Sequence, residues 1–113
     1  MAIEIFRKKG DTAKLKVTLI DDNGAIDLTG SSVTFTMTST SGTVKVNKQA
    51  CVVLDQTATA TKGQVTYAFQ ASQVNTSGKY YGEWQITLGN GEILTIPSAP
   101  DPYAIITIKD TLV

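Results

Sequence analysis

A strict two-residue alternation runs through "KYYGEWQITL" at residues 79–88. Tyr80, Gly82, Trp84, Ile86 and Leu88 fall on one side, and Tyr81, Glu83, Gln85 and Thr87 on the other. An extended strand with one buried face sorts side chains by parity in this way. The period recurs in "AKLKVTLI" at 13–20, where Leu15, Val17 and Leu19 oppose Lys14, Lys16 and Thr18. It recurs again in "VTFTMT" at 33–38, with Val33, Phe35 and Met37 against three Thr, and in "QVTYAF" at 64–69. The expected core is Leu15, Val17, Leu19, Val33, Phe35, Val65, Tyr67, Phe69, Tyr80, Trp84 and Ile86. "AIEIFRK" at 2–8 alternates Ile3 and Ile5 against Glu4 and supplies a first strand. No segment keeps a 3.6-residue apolar period for three turns, so helices are not expected to carry the fold.

Between these runs lie turn residues at the intervals of short strands. "DDNG" at 21–24 and "LTGSS" at 28–32 accept the positive φ and side-chain-capped geometries of tight turns. "GNG" at 89–91 is a hairpin signal ahead of "EILTIP". In "VKVNKQACVVL" at 44–54 the period slips around Gln49, which predicts a bulge or two short strands. "QASQVNTSG" at 70–78 lacks strand character and is expected to cross between sheets, with room for one helical turn. The prolines of "SAPDP" at 98–102 bar regular pairing before a last strand, "YAIITI" at 103–108. Seventeen Thr and many Val and Ile complete a β composition. Seven to nine short antiparallel strands with one long crossing predict an all-β, two-sheet sandwich. With 113 residues, one domain spanning 1–113 is expected. Such a chain buries roughly two-thirds of its extended surface without metal or disulfide.

Chemistry is narrowed mainly by absences in the composition. The chain has no His, which removes the commonest general base and the Ser-His and Cys-His nucleophile pairs. One Cys cannot build a thiolate zinc site or an internal disulfide, and Cys51 sits in the apolar run Ala50–Leu54, as a buried structural thiol would. Asp21, Asp22, Asn23 and Asp27 form the densest oxygen cluster, yet their spacing does not fit a calcium loop and reads better as a β-turn. The glycines lack the following Lys of a phosphate-binding loop. No enzyme and no cofactor are expected. Ten basic residues balance ten acidic ones, so no global field draws nucleic acid or an anionic membrane, and Arg7-Lys8-Lys9 reads as a solvated strand end. No apolar stretch reaches the length of a membrane span or a secretory core, which points to synthesis in the cytoplasm.

The aromatic residues divide by parity. Tyr80 and Trp84 share a face with Ile86 and are expected inside, whereas Tyr81 lies opposite and is a candidate contact. Ile3, Ile5 and Phe6 of the first strand are further candidate interface residues, because exposed end strands and Thr-rich faces suit sheet-edge or face-to-face docking. A rival is a carbohydrate-binding module with Tyr81 and Tyr103 stacking on sugars.

"TSGKY" at 76–80, ahead of the strand with Trp84, resembles the corner of immunoglobulin-like sandwiches, in which a Tyr bonds back to the preceding loop. Thr76 stands where an acid is usual. The order of "KKGDTAKLKVTLIDDNGAIDLTGSSVTFTM", "GQVTYAF", "SGKYYGEWQITLGNGEILTIP" and "YAIITI" resembles the N-terminal immunoglobulin-like domain of phage baseplate upper proteins, from about Ile3 to Ile108. The resemblance implies a non-enzymatic structural component of a siphophage tail tip or baseplate, located in the virion. It implies docking to the tail hub, homo-oligomerisation and support of receptor-binding proteins. It also implies either one domain of a longer protein or a short protein that keeps only the attachment module.

Overall fold

A computed structural model describes residues 4–21, 24–97 and 104–110. Its strands in chain order are β1 (Glu4–Lys8), β2 (Leu15–Thr18), β3 (Ile20–Asp21), β4 (Gly24–Ala25), β5 (Ser32–Ser39), β6 (Val44–Ala50), β7 (Val52–Val53), β8 (Gln64–Tyr67), β9 (Gly78–Thr87), β10 (Ile93–Ile96) and β11 (Ala104–Lys109). The larger sheet runs β1-β11-β9-β5-β6 with β10 also on β9, the smaller runs β2-β8-β7, and β3 and β4 form a separate pair. Buried side chains from both larger sheets meet in one core, giving an immunoglobulin-like sandwich.

The long alternating strand is the centre of this arrangement. β9 pairs with β5 along most of its length, Ser32 opposite Thr87 through Ser39 opposite Tyr80. On its other edge β11 takes Gly78–Gly82 and β10 takes Trp84–Thr87, so β10 and β11 lie end to end. β1 pairs with β11 in parallel, Glu4 opposite Ile105 through Lys8 opposite Lys109. That pairing differs from the all-antiparallel expectation, and it places β11 inside the sheet, so the last described strand is not an edge. The strand number exceeds nine because "AKLKVTLI" and "VKVNKQACVVL" each divide into two pieces and Gly24–Ala25 adds a short bridge.

The slip in "VKVNKQACVVL" has a specific location. From Phe35 to Met37 on β5 the partners move from Gln49 to Val46, so β6 carries an extra residue there, and the register shifts again between Met37 and Thr38. Lys48 absorbs the first shift with φ of 47° and donates its N–H to Thr36 Oγ1 at 3.2 Å. After Ala50 the chain changes sheets: the Cys51 N–H still bonds Val33 O at 2.9 Å, and Val52 then pairs with Thr66 of β8. The crossing from β8 to β9 contains the 3-10 turn Ala71–Gln73. Gln73 is buried there with its side-chain oxygen satisfied, accepting the Tyr67 hydroxyl at 2.8 Å and the Gln70 N–H at 2.9 Å.

Phe35 is the hub of the core. Its ring centroid is 5.0 Å from Trp84, 5.1 Å from Tyr67 and 6.1 Å from Phe69, joining both sheets through tilted and edge-on contacts. Leu15, Leu19, Val33, Val65, Tyr80 and Ile86 are buried with them, while Val17 is half-buried and packs against the cluster from the edge strand β2. Leu28, Val46, Val74, Ile106 and Ile108 join that core as well. Gly82 makes the close packing possible. A Cβ there would lie 2.8 Å from Ile106 Cδ1 and 3.1 Å from Phe35 Cε1.

Candidate interaction surface

Pleating divides β9 into an inner row, Tyr80, Gly82, Trp84 and Ile86, all buried, and an outer row, Lys79, Tyr81, Glu83, Gln85 and Thr87. On this outer face of the six-stranded sheet Tyr81, Glu83 and Gln85 of β9 and Ile105 and Thr107 of β11 are half-buried. Register aligns one row across it: Glu4 on β1, Ile105 on β11, Tyr81 on β9, Thr38 on β5 and Val44 on β6. Lys79 lies opposite Thr107, and Glu83 opposite Thr36, so neither charge has a charged residue directly across from it on the sheet. The face therefore mixes Thr with apolar side chains through its middle, and it carries charges at Lys79 and Glu83 on β9 and at Glu4, Lys8 and Lys109 on β1 and β11.

Its apolar content is more than sequence inspection gives. Phe6, Val44 and Ile93 are 58%, 54% and 63% exposed. Parity puts all three on this face with half-buried Ile105 and Tyr81. In the unbroken run "AIITI" period alone assigns Ile105 to neither side. Of the expected contacts, Phe6 and Tyr81 lie on this face. Ile5 faces the opposite way and packs against the core, and Ile3 lies outside the described residues.

The edges of the sheet are obstructed. On β1 the Arg7 guanidinium bonds Phe6 O at 3.2 Å and Lys14 O at 3.4 Å, covering an edge carbonyl and tying β1 to the start of β2. On β6 the extra residue at Lys48 breaks the regular spacing that a further strand would need. The β10 edge is only 4 residues long. A shallow groove of about 250 Å³ lies beside β1, lined by Phe6, Arg7, Lys8, Asp11 and Lys109. The Lys109 ammonium stands 5.3 Å above the Phe6 ring there. Lys9 pairs with Asp110 at 3.4 Å beside it, so part of the basic run is neutralised locally.

The turns explain why particular pieces of sequence carry the resemblance. In "DLTG" the Asp27 carboxylate accepts the Thr29 N–H at 3.0 Å and its hydroxyl at 2.7 Å, and Gly30 follows at φ of 72°. These bonds hold the Asp27 carboxyl below its ordinary pKa, the hydroxyl of Thr29 first among the causes. "DQT" repeats the device, with Thr57 lowering Asp55 in the same way. In "TSGKY" the Tyr80 hydroxyl donates to Thr76 O at 2.6 Å. That is the back-bond expected of a tyrosine corner, made to a main-chain oxygen and so independent of the side chain at 76. Gln56 gives no sign of its role in the sequence. Its side-chain oxygen accepts the Leu28 and Gly63 N–H groups at 3.0 and 2.9 Å, and its amide donates to Leu54 O at 2.7 Å, stapling three loop segments.

Reactive chemistry has little to work with. Burial pushes the Cys51 thiol up to about 12, which keeps it protonated and weakly nucleophilic. Among the described residues no group of three or more His, Cys, Asp or Glu is placed to hold a metal ion. Asp22 and Asn23 of the oxygen-rich turn, and Tyr103 of the sugar-stacking pair, lie outside those residues. The Trp84 indole N–H finds no acceptor among the described residues, but it is enclosed in the core and reaches no ligand. No helix of the described residues is long and apolar enough to cross a membrane.

Comparison with known proteins gives a family and a fold. The family described as the BppU N-terminal domain, the N-terminal domain of baseplate upper protein, matches residues 2–97. Among solved structures, the crystal structure of CopC from Methylosinus trichosporium OB3b superimposes with a TM-score of 0.54 at 11% identity, over 96% of this chain and 86% of that one. At that identity the likeness concerns the fold alone. No curated protein matches.

Proposed function

The chain belongs to the BppU N-terminal domain family, and from that premise we propose that it is a non-enzymatic structural component of a phage tail baseplate, working in the virion by docking to other tail proteins. The family match carries this reading. The Thr-containing outer face supports it, because small side chains desolvate cheaply and Phe6 and Tyr81 supply the large anchors that interfaces favour. The tail hub and a receptor-binding protein are the partners, with Phe6 and Tyr81 as contacts. No cofactor takes part.

The test is light scattering after size exclusion, with the chain alone and mixed with the hub protein of the same phage. A stable complex with the hub, weakened by Phe6→Ala or Tyr81→Ala in variants that keep the native circular dichroism, is the expected result. Failure to join any tail protein, or saturable binding of host wall polysaccharide lost in Tyr81→Ala, overturns the docking reading in favour of a carbohydrate-binding one.

A further inference from the structure

Lys8 of β1 and Lys109 of β11 stand directly opposite each other where the two strands run parallel. Neighbouring strands lie about 4.8 Å apart, so two like charges sit side by side, an arrangement that destabilises a sheet. The fold does not relieve it. The ion pair formed here joins Lys9 to Asp110, and among the described residues no carboxylate lies within pairing distance of Lys8 or Lys109. The Arg7 guanidinium bonds two main-chain oxygens, Phe6 O and Lys14 O, so no carboxylate neutralises its charge either.

These three cations line the groove beside β1 together with Phe6 and Asp11. One carboxylate against three cations leaves a surplus of two positive charges in a concavity of about 250 Å³. The Asp11 carboxylate is engaged by its own loop, accepting the Ala13 N–H at 3.0 Å. Main-chain bonds fix the walls in advance of any ligand: the Lys9 N–H donates to Lys109 O at 2.7 Å, and the Asp11 N–H to Lys8 O at 3.0 Å. Phe6 adds an exposed apolar wall, with the Lys109 ammonium 5.3 Å from its ring centroid.

We propose that this groove is a binding site for a phosphomonoester, with the phosphate between Lys8 and Lys109 and the carbon skeleton against Phe6. Charge decides the class. A monoester carries close to two negative charges at neutral pH and three strong acceptor oxygens, which suit a surplus of two charges and the donors of two ammonium groups. A carboxylate brings one charge and leaves half the surplus in place. Bound phosphate also turns the Lys8 and Lys109 repulsion into two attractions. Glu4 lies four residues back along β1, about 13 Å away, too far to oppose it strongly. The site goes beyond the docking reading and shares only Phe6 with it.

The groove is open to solvent, so a dissociation constant on the order of 1 mM is expected, rising with added salt. Amide NMR titration of the whole chain at about pH 8 and constant ionic strength tests it, with phenyl phosphate as the probe. Saturable shifts at Phe6, Lys8 and Lys109 are expected. Benzoate, with the same ring and one charge, should bind about tenfold more weakly, and inorganic phosphate, without the ring, about threefold more weakly. Lys8→Ala and Lys109→Ala should each weaken phenyl phosphate about tenfold. Each removes one of two opposed like charges, so the fold should survive, which the spectrum of the variant checks. Phe6→Leu should bring the ester down to the level of inorganic phosphate, and Lys16→Ala, on exposed β2, should change nothing. Shifts that stay linear to about 20 mM, benzoate or inorganic phosphate as tight as the ester, or full binding in both groove lysine variants each overturn the proposal.

Discussion

The Tyr80 hydroxyl donates to the Thr76 carbonyl at 2.6 Å, so the strand bearing the outer-face residues is fastened to the loop before it just after it enters the sheet. Tyr80 is otherwise buried, and the bond satisfies its one side-chain polar atom. Tyr80→Phe keeps the ring and leaves the carbonyl without this donor. It should cost about 1–2 kcal/mol in urea unfolding, with a midpoint lower by several degrees on heating. Thr76→Ala, which leaves the main-chain oxygen in place, should be close to neutral.

Gly82 is required by contact rather than by backbone conformation. Its Cβ, if present, would fall 2.8 Å from Ile106 Cδ1. Gly82→Ala should therefore destabilise by about 1–3 kcal/mol through overpacking. Ile106→Val removes that methyl. The double variant should recover part of the loss, giving a coupling that chemical denaturation of the four proteins in the cycle measures directly.

Thr29 and Thr57 should control the acid titration of their neighbours. The carboxyls of Asp27 and Asp55 are held below their ordinary value, so the fold favours the charged form. Their stabilisation is present above the unfolded pKa of about 4 and is lost as pH falls through the lowered folded value. In Thr29→Val the carboxyl NMR midpoint of Asp27 should rise while that of Asp55 stays, and Thr57→Val should do the converse. Both side chains are solvated, so the effect on global stability should be small.

Cys51 is half-buried rather than fully enclosed as the sequence suggested, and it should label slowly while the fold is intact. With its thiol pushed up to about 12, the thiolate is scarce in mildly alkaline buffer in the native state, and reaction with a thiol reagent should be far slower than in urea. A raised acid pKa stabilises the fold fully below the unfolded value of about 8.5. That contribution declines as pH rises above it towards the folded value of about 12.

Legibility followed locality. Strict alternation displayed the sides of β2, β5, β8 and β9, because parity is written in consecutive residues. The slip near Gln49 was visible for the same reason, and the structure resolves it as the extra residue at Lys48. The parallel partnership of β1 and β11 had no such trace, since Ile5 and Ile106 meet from opposite ends of the chain. Arg7 was unreadable as an edge cover, because that role depends on where Lys14 O comes to rest. Tyr81 was placed outward by its neighbours, but the row from Ile105 to Val44 exists only once three registers are known.

Arg7 and Lys48 also limit how large any aggregate can become. Cross-β fibrils grow by recruiting one strand after another onto an open hydrogen-bonding edge, and on the six-stranded sheet that process is stopped at β1 and at β6. Local crowding of many copies should therefore not extend this sheet into fibrils from β1 or β6, with turbidity and thioflavin signals staying flat in concentrated native protein.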